Sequence, residues 1–192
     1  MLIRGMAAVG MAAAALAGCV SPSSAVRSDI AGASTAGNAR LATRPDLTIA
    51  RNLAGSPEHS VLNRGLTVSG LSQALDAAGP YTLFAPTDKA FGFIDPARLE
   101  RLLAPESRAQ LTALMGRHVV PGRITAADIL ARIEAGGGQA SYATLAGEEL
   151  TFFASDGVIR IEGPQRTRSS VIQANIAQSN GIVHILDAVI TQ

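Results

Sequence analysis

The chain has one cysteine in 192 residues, no tryptophan, and only 4% aromatic side chains. With a single sulfur, at Cys19, no internal disulfide can form, so an exported domain must rely on its own apolar core. The same scarcity excludes thiolate metal sites and cysteine-based catalysis in the body of the chain. Few aromatics leave few platforms for stacking bases or sugar rings. An excess of one charge is missing as well: 16 Lys and Arg face 15 Asp and Glu. That balance gives no electrostatic case for nucleic acid as a partner. No apolar run reaches the roughly 18 residues that a transmembrane helix needs.

What is present begins with an export signal. Met1 to Arg4 is a short positive end, and Gly5 to Ala17 is an uncharged run rich in Ala and Met. Its length suits the core of a signal peptide. The run ends in Leu16-Ala17-Gly18-Cys19, which resembles the cleavage and lipidation box of bacterial lipoproteins. The resemblance implies removal of residues 1–18, a diacylglycerol on the Cys19 sulfur, and an acyl chain on its new amino group. Several chains, at ~0.8 kcal/mol per buried CH₂, make a firm membrane anchor. Val20 in place of Asp after the cysteine favours, by the same resemblance, the outer membrane, facing the periplasm or the cell surface. Residues 19–45 are then dominated by Ser, Ala, Gly and Thr with no hydrophobic period. They read as a flexible tether with a reach of about 25–30 Å.

Residues 46–192 are one domain by length and long enough to bury a core. Asp46 is placed to cap a short helix through Leu53, closed by Gly55. Ser56-Pro57 has the form of a second helix start, with Val61, Leu62 and Leu66 inward and one more turn at Leu71, Ala74 and Leu75. His59, in the first turn, is expected in solvent. Tyr81 to Ala85 reads as a strand stopped by Pro86, with Thr87 capping the next helix. Pro96 to Leu103 and Pro105 to Met115 carry apolar stripes of buried helices. Arg117 to Val120 is a short strand, and Thr125 to Asp128 has capping-box spacing. Tyr142–Leu145, Leu150–Phe153, Val158–Ile161 and Val171–Ile176 are strands, with Asp156-Gly157 as a hairpin turn. Asn180-Gly181 reads as a primed turn into a last strand reaching Ile190, apolar on both parities and therefore covered on both faces.

Three of these stretches resemble the fasciclin domain family. Gly79 to Phe91 is similar to its first signature and Asn180 to Ile190 to its second. Between them, His118-Val119-Val120-Pro121-Gly122 falls where the family carries a Tyr-His-Val-Val-Pro-Gly segment. The resemblance covers residues 46–192 and implies an α+β fold, a wedge of two β-sheets with helices packed around it. It further implies a non-enzymatic, adhesion-related protein. In animal members a Tyr-His pair and an Asp-Ile pair are linked to receptor binding. Here those places hold Arg117-His118 and Asn175-Ile176, which are the candidate binding residues, whereas Asp128-Ile129 lies in a different segment.

A second candidate surface is the cluster Arg160, Arg166 and Arg168 around Pro164, suited to an anionic glycan or lipid headgroup. Catalytic signatures are not assembled: no Gly-x-Ser-x-Gly is present, and His118 and His184 each sit in an apolar stretch where a hydrogen-bonded core histidine is expected. Gly136-Gly137-Gly138 lacks the Lys-Ser/Thr of a phosphate cradle, and Glu148-Glu149 reads as the exposed face of a hairpin. Nothing calls for a cofactor. The expected partners are the membrane, through the N-terminal lipid, and a protein or polysaccharide, with the oligomeric state left open. The alternative is a periplasmic binding module for a small hydrophobic or glycan ligand. Replacing Cys19 by Ala should release the protein from membranes without unfolding the domain. Fractionation that still tracks membranes after a high-salt wash would show that Cys19 is not the anchor.

Overall fold

A computed structural model describes residues 44–191. The expected signal peptide, the expected lipidation site Cys19 and the expected tether as far as residue 43 lie outside the described residues. Thr48, not Asp46, caps the first helix, α1 (Ile49–Ala54), its hydroxyl accepting from the Arg51 N–H at 3.4 Å. Asp46 pairs instead with Arg44 at 3.3 Å. Ser56-Pro57 opens a single 3₁₀ turn, Pro57–His59, and α2 (Ser60–Ser69) starts only after it. The start of α2 is satisfied from elsewhere: the Asp88 carboxylate accepts from the N–H of Ser60 at 3.1 Å and of Val61 at 2.9 Å. Gly70, at φ 84°, then separates α2 from α3 (Leu71–Asp76), where the sequence predicts one continuous helix. A left-handed residue ends an α-helix, and glycine adopts it without a Cβ clash.

Strand β1 (Tyr81–Pro86) leads into α4 (Asp88–Phe91), capped by Thr87 as expected. Helices α5 (Pro96–Leu103) and α6 (Arg108–Gly116) come next, then β2 (Val119–Pro121). The capping box at α7 (Ala126–Ala135) forms reciprocally: Thr125 Oγ1 accepts from the Asp128 N–H, and Asp128 Oδ2 from the Thr125 N–H at 2.8 Å. The remainder is β3 (Ala140–Ala143), β4 (Glu149–Ser155), β5 (Val158–Glu162), β6 (Arg168–Gln178) and β7 (Gly181–Leu186). Asp156 and Gly157 both have positive φ, as a primed hairpin turn requires. The last strand stops four residues before Ile190. Asp187 turns its carboxylate onto β6, accepting from the Ser170 N–H at 2.7 Å.

The strands form one sheet in the order β2-β1-β7-β6-β5-β4-β3, antiparallel except for the β1–β7 pair. β6 is long enough to serve both halves: Arg168 to Ser170 pair with β5, and Val171 to Gln178 with β7. The two sheets of the expected wedge are thus joined through β6. Just past β3, the Leu145 N–H donates to the Val119 carbonyl at 2.8 Å. The two edges therefore meet and the sheet is nearly closed, which protects edge groups that would otherwise recruit another chain.

Alternation along the central pair sorts the core into two layers. Leu83, Ala85, Val183 and Ile185 pack on the helix side with Leu62, Leu66 and Met115. Phe84 and Leu186 point inward to Ile129, Leu150 and Phe152, with the Phe84 and Phe152 rings 5.1 Å apart. The strand covered on both faces, expected from its composition, is what β7 is.

The turn that starts β7 differs from expectation. It is Ser179-Asn180, and neither residue has positive φ. Gly181 is needed for another reason: a Cβ there would overlap the Tyr81 carbonyl oxygen. Asn180 is buried and ties three segments together. Its Oδ1 accepts from the Ile49 N–H at 3.0 Å, and its Nδ2 donates to the carbonyls of Leu75 at 2.6 Å and Ala77 at 2.9 Å. Asn180→Ala would strand these groups, at about 1–3 kcal/mol for each that stays dry. Urea denaturation should show a loss of about 3 kcal/mol or more. A midpoint equal to wild type would mean that water takes over all three contacts.

Candidate functional site

The segment joining α6 to β2 carries the first pair of candidate residues. Arg117 ends α6, its N–H donating to the Ala113 carbonyl at 3.1 Å, so it precedes β2 where a strand residue is predicted. Its side chain is 4% exposed. Nε and Nη2 donate to the two carboxylate oxygens of Glu148, Nη2 at 3.0 Å from Oε1. Glu148 therefore belongs to a fork-to-fork ion pair and not to an exposed hairpin face.

His118 is fully buried. Its Nδ1 lies 2.8 Å from the Leu114 carbonyl, and its Nε2 accepts from the Ile190 N–H at 3.2 Å. That pattern fits the neutral ring protonated at Nδ1. Burial lowers its pKa to about 4, with the Leu114 carbonyl opposing and the Arg117 charge adding. His184, in β7, bonds the Ile124 carbonyl through Nε2 at 2.9 Å and stacks on Phe84 at 5.3 Å. Burial lowers its pKa to about 4 also. His59, expected in solvent, is fully buried because the 3₁₀ turn rotates it inward. Its Nδ1 lies 2.8 Å from Ser56 Oγ, and burial lowers its pKa against the opposing charge of Asp88. None of the three rings hydrogen-bonds a carboxylate, and all three are fully buried. Among the described residues no group of His, Cys, Asp and Glu is placed to hold a metal ion.

Asn175 and Ile176 sit where β6 shifts register. Asn175 has φ 61°, and its Oδ1 accepts from the Ala126 N–H at 2.8 Å, fastening β6 to the first turn of α7. Ile176 is in the helix-side core. Two of the three arginines share a face of the sheet. Arg160 and Arg168 lie on the same face of the β5–β6 pair, since Arg160 opposes Ser170 and Glu162 opposes Arg168. Glu162 stands between them and pairs with Arg168 at 3.1 Å; Arg160 is 3.9 Å from Asp156. Arg166 is exposed in the turn Pro164–Arg166, where it and Gln165 have φ 58° and 56°. The face is basic, but partly neutralised.

Sequence reasoning missed an open groove of about 670 Å³ between α5 and α6. Ile94, Leu102, Ala113 and Leu114 line it, with Arg98 and Arg117, and Phe93 stands at the rim, 85% exposed. Leu102 and Leu114 read as core from helical spacing alone. The available signal was Phe93-Ile94, two large apolar residues in a loop between Gly92 and Asp95. Of the candidate residues, only Arg117 lines the groove.

A nearly closed sheet with its first strand parallel to its last, and helices over one side, defines a small α+β wedge domain. A sequence profile of the Fasciclin domain matches residues 57–192, and the chain belongs to that family. It is 38% identical over 151 residues to Protein sll1483 of Synechocystis sp., covering 79% of this chain and 77% of that protein. It is 25% identical over 151 residues to transforming growth factor-beta-induced protein ig-h3 of Sus scrofa, but spans only 20% of it. A solved FAS1 domain pair from the insect cell adhesion molecule Fasciclin I has the same fold, with a TM-score of 0.68 and 18% identity. That match covers 76% of this chain and 51% of that one.

The histidines set the pH response of stability. Their folded pKa values lie below the 6.5 of the unfolded chain, so below pH 6.5 the unfolded state binds more protons. Stability from His118 and His184 is fully present above pH 6.5 and is lost as the pH falls toward 4. Each contributes on the order of 3 kcal/mol across that window. Urea midpoints measured from pH 7 to 4.5 should fall steeply, and less steeply in His184→Gln. An unchanged slope in that variant would show that His184 does not carry its share.

Proposed function

We propose that the protein is a lipid-anchored, non-enzymatic component of the bacterial cell envelope that mediates adhesion or binds another macromolecule at the cell surface. Membership of the Fasciclin domain family carries this reading, together with the likeness to a domain pair from an insect cell adhesion molecule. The lipidation box at Cys19 and the tether after it supply an attachment that leaves the domain free to meet a partner.

The partner is a protein or a polysaccharide, and the outward arginines are the residues offered to it. Arg117, His118, Asn175 and Ile176 are engaged in the fold, with Arg117 bound to Glu148, His118 to Leu114 and Ile190, and Asn175 to Ala126. Arg160 and Arg168 stand on one face of the β5–β6 pair in solvent-exposed ion pairs, and Arg166 is exposed in the turn that joins the two strands. A guanidinium row of this kind suits carboxylated or sulfated polymers, which bind it by bidentate hydrogen bonds.

Beads coated with the purified chain should retain bacterial cells of the source strain several-fold better than albumin-coated beads. The Arg160/Arg166/Arg168→Ala variant should lose more than half of that retention. Retention at the albumin level would overturn the adhesion reading, and full retention by the variant would move the binding face elsewhere.

A further inference from the structure

The groove between α5 and α6 is lined at one place by a guanidinium already fixed by the fold, that of Arg117. Arg117 is 4% exposed, and Glu148 takes its Nε and Nη2. Its Nη1 stands outside that pair, and the side chain lines the groove. A guanidinium so enclosed is a strong donor with its geometry already fixed, since the ion pair to Glu148 prevents rotation.

The rest of the groove describes the acceptor. Arg98, on α5, is an exposed second cation with no side-chain partner among the described residues. The Asp95 carboxylate also lines the groove, but one of its oxygens is committed to the Arg98 backbone N–H at 2.9 Å as the cap of α5. Leu102, Ala113 and Leu114 give an apolar wall, and Phe93 leaves a large ring in water at the rim. About 670 Å³ lies within the usual range for a small-ligand site.

We infer that this groove binds an aliphatic carboxylate, its head on Arg117 Nη1 with Arg98 beside it and its chain along the wall under Phe93. The planar fork favours a carboxylate over a neutral headgroup, and the chain covers apolar surface that is otherwise wet. This site is separate from the arginine face of β5–β6 and does not depend on the adhesion reading. It gives a chemical class to the small hydrophobic ligand that the sequence leaves open.

Octanoate and 1-octanol, titrated into the full chain and monitored by amide chemical shifts, test it. Octanoate should shift the amides of Ala109, Ala113 and Arg117 saturably. Octanol should bind about tenfold more weakly, the worth of one charge-assisted hydrogen bond. Ala109→Trp, at an exposed position lining the groove, should abolish the saturable shifts while leaving the dispersion of the β7 amides intact. Arg98→Ala should weaken octanoate several-fold and leave octanol unchanged. No saturable shift, equal affinity for octanol, or shifts that persist in Ala109→Trp would each overturn the proposal.

Discussion

The constraint on which this domain depends is the close approach of β1 and β7 where both strands begin. They are the one parallel pair among the described strands, Tyr81 beside Gly181 through to Pro86 beside Leu186, and both are buried. Parallel strands cannot be joined by a short turn, so their ends must be brought together by the rest of the chain. Here that is done by one residue. Asn180 takes its backbone bond to Tyr81 at 3.1 Å and, through its side chain, fixes α1 and the end of α3 over the same spot. Gly181 comes next because the Tyr81 carbonyl leaves no space for a Cβ. The helices then cover one face of the pair and the curled half of the sheet covers the other.

Burial of so much backbone makes hydrogen-bond accounting strict. Thr82 shows how it is met: its hydroxyl donates to the Gly122 carbonyl at 2.8 Å and accepts from the Ile124 N–H at 2.9 Å. Asn52 links the Arg44 carbonyl to Gln178, and Ser179 donates to the Leu47 carbonyl at 2.9 Å. The stretch before α1 is thereby tied to the end of β6. Among the described residues, three buried side-chain atoms remain without partners: His59 Nε2, Gln178 Nε2 and His184 Nδ1. Two belong to histidines that burial keeps neutral, and a neutral ring loses less by leaving one nitrogen unbonded than a charged one would.

Much of this is legible in the sequence wherever local chemistry decides. The capping box at Thr125, the Asp156-Gly157 turn and the apolar run of β7 each arise from a few neighbouring residues. The features that escape sequence reasoning depend on partners far along the chain. Asp88 caps α2 from 28 residues away, so the start of α2 carries no local signal. Asn180-Gly181 has the propensity of a turn, whereas its role lies in contacts to residues 49, 75 and 77. His59 is polar and early in a helical segment, which favours solvent, but a 3₁₀ turn places it in the core. The three-arginine cluster is visible from the chain, and Glu162, which partly neutralises it, becomes its neighbour only through strand pairing.

Arg117 stands where the segment it resembles in the family has a tyrosine, and in this chain its charge is met by a carboxylate. The similar segment of the family carries a tyrosine before the histidine, which needs a single hydrogen bond and no counter-charge. An arginine enclosed at that place needs a carboxylate, because an unpaired buried guanidinium is far more costly than a buried phenol. Glu148 provides it from the turn between β3 and β4. That is the turn whose Leu145 N–H reaches the Val119 carbonyl and closes the sheet. The ion pair is thus a side-chain clasp laid beside a backbone one. It also leaves one edge of the guanidinium over the groove between α5 and α6. The residue at that place therefore pairs with the turn that closes the sheet and at the same time lines the groove.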